Sequence, residues 1–373
     1  MINYIGVTDI QRLVHEIGPG TFIARLAEQI ELDYGRWGEF DKSARVASHS
    51  ASGVIELMPI SDDHSYSFKY VNGHPQNTVV GLLTVTAFGV LAEVATGYPV
   101  LLSELTVTTA LRTAAMSALA AKWMARADSR VMALIGNGAQ SEFQAIAFHR
   151  LVGVREVRLY DIDPSATAKL ERNLRSMPEL GDLKVVRATS VAEAVRSADI
   201  VTTVTADKRN AVILTPPMIV PGVHLNAVGG DCPGKTELHP DILSRPDARV
   251  VVEYAPQSRL EGEIQQMSPG FPVIEFADVV ARTEPGRLHP AEVTIFDSVG
   301  FALEDFTALR FLNHLLRDHP QGCRQIDLLP DLENPQCVGP CADLYRGKPL
   351  LHRTYGLVGH AEALGKSHHG VVA

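Results

Sequence analysis

The chain has 373 residues, 46% hydrophobic and 21% charged, the balance of a globular protein of about two domains that can bury a sizeable core. A net charge of −9, a pI near 5.9 and no basic stripe argue against nucleic acid as a partner. The opening Met1-Ile2-Asn3-Tyr4 lacks a signal-peptide pattern, no apolar run reaches the roughly 18 residues of a membrane span, and the cysteines are too few for a disulfide scaffold, so a cytoplasmic, reducing compartment is expected.

Taken in chain order, Thr8-Asp9 caps an amphipathic segment through His15, and Pro19-Gly20-Thr21 punctuates before a second helical run to Tyr34. Residues 44–50, 54–60, 65–71 and 79–90 alternate or run apolar, broken at Gly53, at Ser61-Asp62-Asp63 and at Asn72-Gly73-His74-Pro75. They predict an antiparallel sheet of its own, separate from the later strands of the chain. Residues 106–126 read as a long Ala-rich helix suited to close packing between two domains.

The stretch R-V-M-A-L-I-G-N-G-A-Q at 130–140 carries the most information. An apolar strand, 131–135, stops at Gly136-Asn137-Gly138, and a helix over 139–151 follows directly. This order builds a phosphate-binding turn, in which Gly136 permits the bend and Gly138 lets backbone approach a pyrophosphate at the helix N-terminus. The third fingerprint position is Ser141, small enough to keep helix–sheet packing. A second strand, 155–160, ends at Asp161, where a carboxylate binds both ribose hydroxyls and repels a 2′-phosphate, favouring NAD over NADP.

Beyond the turn, strands over 183–187, 200–205, 222–228, 249–253 and 292–296 alternate with helices over 164–176, 191–196 and 238–243, a doubly wound α/β pattern. A last helix, 302–317, leads back to the first domain and makes it discontinuous: 1–112 with 318–373, around a Rossmann domain of 113–317. Past Pro330 the chain turns polar and Pro/Gly-rich, and His360, His368 and His369 read as a frayed tail. Cys337 and Cys341, beside Pro335 and Pro340, have no second Cys/His pair at finger-like spacing, so no metal is expected.

Some charged residues interrupt apolar patterns. Arg45 opens a strand, Lys69 lies inside one with aromatic neighbours, and Arg112 sits in an otherwise uncharged helix. A buried cation needs an anion, so these either form internal salt bridges or converge on a substrate carboxylate. In the segment 226–235, N-A-V-G-G-D-C-P-G-K, paired glycines let backbone pass close to a ligand, and Asp231 stands at the carboxyl edge of the sheet as a candidate general acid/base.

These segments together resemble the ornithine cyclodeaminase/mu-crystallin family, which also holds an archaeal-type alanine dehydrogenase. The resemblance runs over about residues 5–327. It rests on E-L-M-P-I (56–60), F-K-Y-V-N-G-H-P (68–75), L-L-S-E-L-T (101–106), A-L-R-T-A-A (110–115), L-I-G-N-G-A-Q-S-E-F-Q (134–144), N-A-V-G-G-D-C-P-G-K-T-E-L (226–238), E-G-E-I-Q-Q (261–266) and F-D-S-V-G-F-A-L-E-D (296–305). It implies a Rossmann-type NAD domain plus a discontinuous α+β substrate-binding and dimerisation domain. The implied activity converts L-ornithine to L-proline and ammonia through hydride transfer to and from a retained NAD, by way of a cyclic imine, as a cytoplasmic homodimer in ornithine/arginine catabolism and proline synthesis.

The resemblance also implies roles. Arg45, Lys69 and Arg112 hold the substrate carboxylate, Asp231 is the acid/base, and Cys232 and Val299 join the substrate pocket. The δ-ammonium of such a substrate must lose a proton before attack, which needs a nearby carboxylate: Glu56, in the strand before Lys69, either orients that amine or is a strand-edge charge. Thr84, Arg112, Gly136, Gly138, Ala139, Gln140, Asp161 and Thr205 line the cofactor, with Asn226, Ala227, Val228, Gly229, Lys235 and Ser298 at its nicotinamide end. If the anion that Arg45 meets is the substrate, its removal leaves thermal stability nearly unchanged. The same scaffold would also suit an NAD(P)H-dependent ketimine reductase, an alanine-type dehydrogenase or a mu-crystallin-like binding protein, although a pure binder has no use for Asp231.

Overall fold

Alternation decides the first sheet. In the computed structural model, which describes residues 1–206, 211–318 and 324–328, every second residue of the long strands is buried and its neighbours are open. Cys337, Cys341, His360, His368 and His369 lie outside the described residues. Ile2–Ile326 packs as one compact unit; the other, Met1 with Asp327–Ala373, falls almost wholly outside the described residues.

The chain begins with β1 (Ile2–Ile5), α1 (Val7–Ile17) and α2 (Pro19–Gly35). Thr8-Asp9 does not precede α1 as a cap; Gly6 does, and the Asp9 carboxylate reaches back to accept the Gly6 N–H at 2.9 Å. Then come β2 (Asp41–Lys42), β3 (Val46–His49), β4 (Val54–Ser61), β5 (Ser65–Gly73), β6 (Val85–Glu93) and β7 (Pro99–Glu104). The expected strand over 79–90 starts only at Val85, because Pro75–Val80 forms a 3-10 turn. Val79, Val80, Leu82 and Leu83 are consequently exposed rather than buried. The sheet is mixed, not purely antiparallel, since β1 runs parallel to β7.

The long helix α3 (Thr106–Met124) is buried along most of its length and packs on α2 and, further on, α4 (Ser141–Ala147). It is continuous across residues 112 and 113, where a domain boundary is expected.

The second sheet takes up β8 (Val131–Ile135), β9 (Glu156–Tyr160), β10 (Lys184–Arg187), β11 (Ile200–Thr203), β12 (His224–Ala227), β13 (Ala248–Val252), β14 (Ile274–Glu275) and β15 (Val293–Asp297). All run parallel, in the order β10-β9-β8-β11-β12-β15-β13-β14. That is a doubly wound α/β sheet. Helices α5 (Pro164–Ser176), α6 (Val191–Val195), α7 (Pro240–Leu243), α8 (Ala255–Glu261) and α9 (Phe276–Val280) connect it.

Side chains from β8 divide by parity, Met132 and Leu134 into the cluster with α2 and α3, Ala133 and Ile135 into a second cluster on the opposite face. A sheet covered on both faces must be apolar on both, which explains the continuous hydrophobic runs. Finally α10 (Ala302–Asp318) packs against α2, β4, β5 and β6, and β16 (Arg324–Ile326) pairs antiparallel with β1, so the chain returns to the first sheet. Among the described residues no helix is long and apolar enough to cross a membrane.

Candidate active site

The glycine turn after β8 forms as its sequence requires. Gly136 has φ +94°, and a Cβ there would stand 2.7 Å from the Val204 carbonyl oxygen, so only glycine fits. A Cβ at Gly138 would meet nothing, which leaves open ground above the exposed Gly138-Ala139 lip. Ser141 is fully buried and its hydroxyl donates to the Gly138 carbonyl at 2.6 Å, so the third fingerprint position closes the turn itself. Asp161, at the end of β9, accepts the Asn137 N–H at 2.6 Å and the Asp163 N–H at 2.9 Å. Each of its oxygens keeps a further lone pair for a ribose hydroxyl. The Gln140 Oε1 is buried without a partner. A turn, a helix start, a free acceptor and an acid beside them suit a dinucleotide.

The buried cations of the first sheet and α3 meet the start of α10. Lys69 Nζ lies 2.6 Å from Asp305 Oδ2, and Arg112 Nε lies 3.1 Å from Asp305 Oδ1, so one carboxylate bridges both. Arg112 Nη1 also reaches Glu304 Oε2 at 2.6 Å. Arg45 pairs with Glu56 and Glu261, each at 3.0 Å, and its Nη2 donates to the Val299 and Gly300 carbonyls at 2.6 and 2.7 Å.

Hydrogen bonds occupy both Nη2 hydrogens and one Nη1 hydrogen of Arg45, while its Nε lies 3.0 Å from Glu261 as an ion pair without a hydrogen bond; Arg112 keeps its Nη2 pair and one Nη1 hydrogen, and Lys69 meets Asp305 as an ion pair. The donors open to a substrate carboxylate therefore belong mostly to Lys69 and Arg112. Gly300, at φ +75°, is held to glycine because a Cβ would lie 2.8 Å from Arg112 Nη1. Burial, then the charge of Arg112, lowers Lys69 to about 8. Burial, then the charge of Glu253, pushes Glu304 up to about 8, and burial pushes Glu261 up to about 7.

The expectation that Arg45 lacks a protein anion is corrected by these pairs: Glu56 and Glu261 are its partners, and it ties β4, α8 and the 299–300 loop together.

After β12 the chain carries Asp231, whose side chain is 54% exposed and lies 3.2 Å from the buried Lys235 ammonium. Lys235 also donates to the Thr205 carbonyl at 3.0 Å. Asp231 is close enough to Arg45 and Glu261 for its charge to act on both, so acid/base candidate and cation cluster share one region. Cys232 and Val299 are buried nearby in sequence to Asp231 and Ser298. Ser298 donates to Glu253 at 2.6 Å. Asn226 and Ala227 lie buried within β12, and Asn226 donates to Thr202 at 3.3 Å. The Thr84 carbonyl accepts from the His74 N–H at 2.8 Å and from the Asn72 side chain at 3.4 Å.

The paired glycines have a different reason from the one their sequence suggests. A Cβ at Gly229 would lie 2.1 Å from the Glu237 carboxylate and one at Gly230 would lie 2.9 Å from Glu263 Oε1. They make room for buried carboxylates. Glu237, Glu253, Glu261, Glu263, Asp297, Glu304 and Asp305 are the residues that sequence reasoning missed. The signal was present: charges interrupting apolar segments single out Lys69 and Arg112, and the same test applied to acids finds Asp297 at the end of V-T-I-F-D and Glu253 after V-V-V.

The model of the ornithine cyclodeaminase/mu-crystallin family matches residues 7–319. An ornithine cyclodeaminase of Brucella suis is 56% identical over 352 residues, 94% of each chain. Among solved structures, a lysine cyclodeaminase whose recognition of L-lysine, L-ornithine and L-2,4-diaminobutyric acid is described superposes at a TM-score of 0.82, with 27% identity over 91% of this chain and 99% of that one. An archaeal alanine dehydrogenase dimer with bound NAD superposes at 0.78, with 28% identity over 87% of this chain and 99% of that one.

Two outcomes are expected from this geometry. Arg45→Ala leaves Glu56 and Glu261 buried without their cation and should cost about 3–5 kcal/mol of unfolding free energy, read by urea denaturation. An unchanged midpoint would show that the substrate, not the protein, supplies its anion.

Stability should also fall as pH rises from about 6.5 to about 7.5. Glu261 and Asp297 are raised to about 7 and Glu304 to about 8, each first by burial, so the folded chain holds their protons more tightly than the unfolded one and loses that advantage as they ionise. His224, lowered to about 3 by burial, opposes this trend below its ordinary 6.5, and Lys69, lowered to about 8, opposes it as pH nears 8. Unfolding free energies that rise across the window would contradict the buried-acid assignment.

Proposed function

Because this chain belongs to the ornithine cyclodeaminase/mu-crystallin family, we propose that its cation cluster, its Asp231 loop and its glycine turn divide the work of cyclodeamination among them. The activity is conversion of L-ornithine to L-proline and ammonia, with NAD as cofactor. The observation that carries the division of labour is the common region of Asp231, Arg45 and Glu261, beside the Lys69–Asp305–Arg112 bridge.

Lys69 and Arg112 take the substrate carboxylate with their unengaged hydrogens, and Arg45 adds its free Nη1 hydrogen. Gly136, Gly138, Ala139, Gln140 and Asp161 would hold the pyrophosphate and ribose, with Thr84 as a further contact and Thr205, Val228, Gly229, Lys235 and Ser298 toward the nicotinamide. NAD, when bound, would supply reversible hydride acceptance at the α-carbon of ornithine, with no net redox. Asp231 takes the proton of the α-amino group as the carbon is oxidised and serves the later proton transfers from its place on Lys235. Glu56, held by Arg45, orients the δ-amine, which must lose a proton before it adds to the α-carbon and releases ammonia. Holding both ends of one molecule makes that ring closure favourable.

The reading carries with it a cytoplasmic homodimer. Its support is the outer face of the first sheet, where Leu57, Tyr70 and Phe88 stand opposite one another across β4, β5 and β6. Leu57 and Phe88 are 44% and 43% exposed, and Tyr70 and Phe88 stack with ring centres 5.0 Å apart. Such a row on an open sheet face suits a self-complementary contact.

The purified protein is expected to form proline and ammonia from L-ornithine in equal amounts, without steady production or consumption of NADH. Asp231→Asn should lower turnover by about 10²-fold or more while NAD binding survives. Net NADH turnover would place the chain among dehydrogenases or reductases instead, and an active Asn variant would pass the proton role to another carboxylate.

Phe88→Glu puts a charge into the proposed contact and should convert a dimer to a monomer in analytical ultracentrifugation. A wild-type monomer, or a Glu variant that stays dimeric, would remove this face as the interface.

A further inference from the structure

Three buried carboxylates form a relay along the carboxyl edge of the second sheet. Asp297, the last residue of β15, accepts the Glu263 N–H at 2.8 Å and the Ile264 N–H at 3.1 Å. Glu263 in turn accepts the Glu237 N–H at 2.7 Å and the Leu238 N–H at 3.0 Å. Glu237 then accepts both the backbone N–H of Thr205, at 2.9 Å, and its hydroxyl. Each carboxylate lies against a glycine that could not carry a side chain: Gly262 against Asp297, Gly230 against Glu263 and Gly229 against Glu237.

Burying an acid is unfavourable unless hydrogen bonds replace water, and here backbone donors do so at every step. Glu237 is 1% exposed, yet its Oε2 has no partner. An apolar residue would fill the same space without that penalty. The relay also ends at a functional place. Thr205, fixed by Glu237 through its N–H and hydroxyl, offers its carbonyl to Lys235, and Lys235 holds Asp231.

We infer that Glu237 is a positioning residue for the cofactor: its reach to Thr205, transmitted from Asp297 through Glu263, sets the Thr205–Lys235–Asp231 chain at the nicotinamide end of the dinucleotide site. This inference rests on the NAD assignment above and adds a group that acts through others. What matters is the length of the side chain more than its charge, because the acceptor must span from the 237 backbone to Thr205. Glutamine keeps that length and an acceptor oxygen, whereas aspartate keeps the charge and falls one methylene short.

The test compares E237Q and E237D, both stripped of cofactor, by NADH fluorescence titration, by thermal unfolding of the apoprotein and by steady-state kinetics with L-ornithine. E237D should bind NADH about tenfold more weakly and lose kcat with little change in the KM for ornithine, while its apoprotein unfolds within a few degrees of the wild type. E237Q should recover most of the affinity. Wild-type NADH affinity in E237D overturns the inference, and so does a fall in melting temperature of both variants with affinity following it, which would mark Glu237 as structural alone. Because the titration reads NADH and not proline, its failure is distinguishable from a wrong substrate assignment, which the wild-type ornithine assay exposes separately.

Discussion

The bridge of Asp305 between Lys69 and Arg112 is the constraint on which the site depends. Neither cation can be buried alone, and neither belongs to the same sheet or helix as the acid that pairs it. Lys69 comes from the middle of β5, Arg112 from the middle of α3, and Asp305 from the first turn of α10, so satisfying one charge balance fixes three elements relative to one another. The remaining hydrogens of both cations then point from a rigid base. Arg45 works differently. With Glu56, Glu261 and two carbonyls around it, it fastens the 299–300 loop and keeps little donor capacity over.

A second theme is the use of carboxylates where a parallel sheet ends. The loops after β8, β11, β12 and β15 carry unpaired backbone N–H groups, and acids accept them: Asp161 for Asn137, Glu237 for Thr205, Glu263 for residues 237–238, and Glu253 for residues 299–300. Loops that must hold a ligand are thus held by hydrogen bonds rather than by apolar packing. The burial of these acids raises Glu237, Glu253 and Glu263 above the ordinary carboxylate range. Glycines 229, 230 and 262 are the steric counterpart of the same design, since each leaves the volume that a carboxylate occupies.

Local chemistry was legible wherever a pattern is short in range. The βα turn at 136–138, the acid at the end of β9, the helix Pro164–Ser176 and the strands of the second sheet other than the two-residue β14 follow from apolar runs and glycines within a few residues. The same logic failed at 79–84, where an apolar run turned out to line an exposed turn, because hydrophobicity alone does not tell a buried strand from a surface awaiting a cover. It also missed β1, whose four residues hold too little pattern, and therefore the parallel pairing that makes the first sheet mixed.

The sequence by itself determined the doubly wound class, the dinucleotide turn, the preference for an acid at Asp161, and the presence of Arg45, Lys69, Arg112 and Asp231 as charges out of place. Only the tertiary structure decided who meets whom. Asp305 is 236 positions from Lys69 and 193 from Arg112, and Glu261 is 216 from Arg45, separations at which no periodicity carries information. A buried charge announces that a partner exists; which acid it is follows from how the helices and sheets pack, and that is settled by the whole core at once.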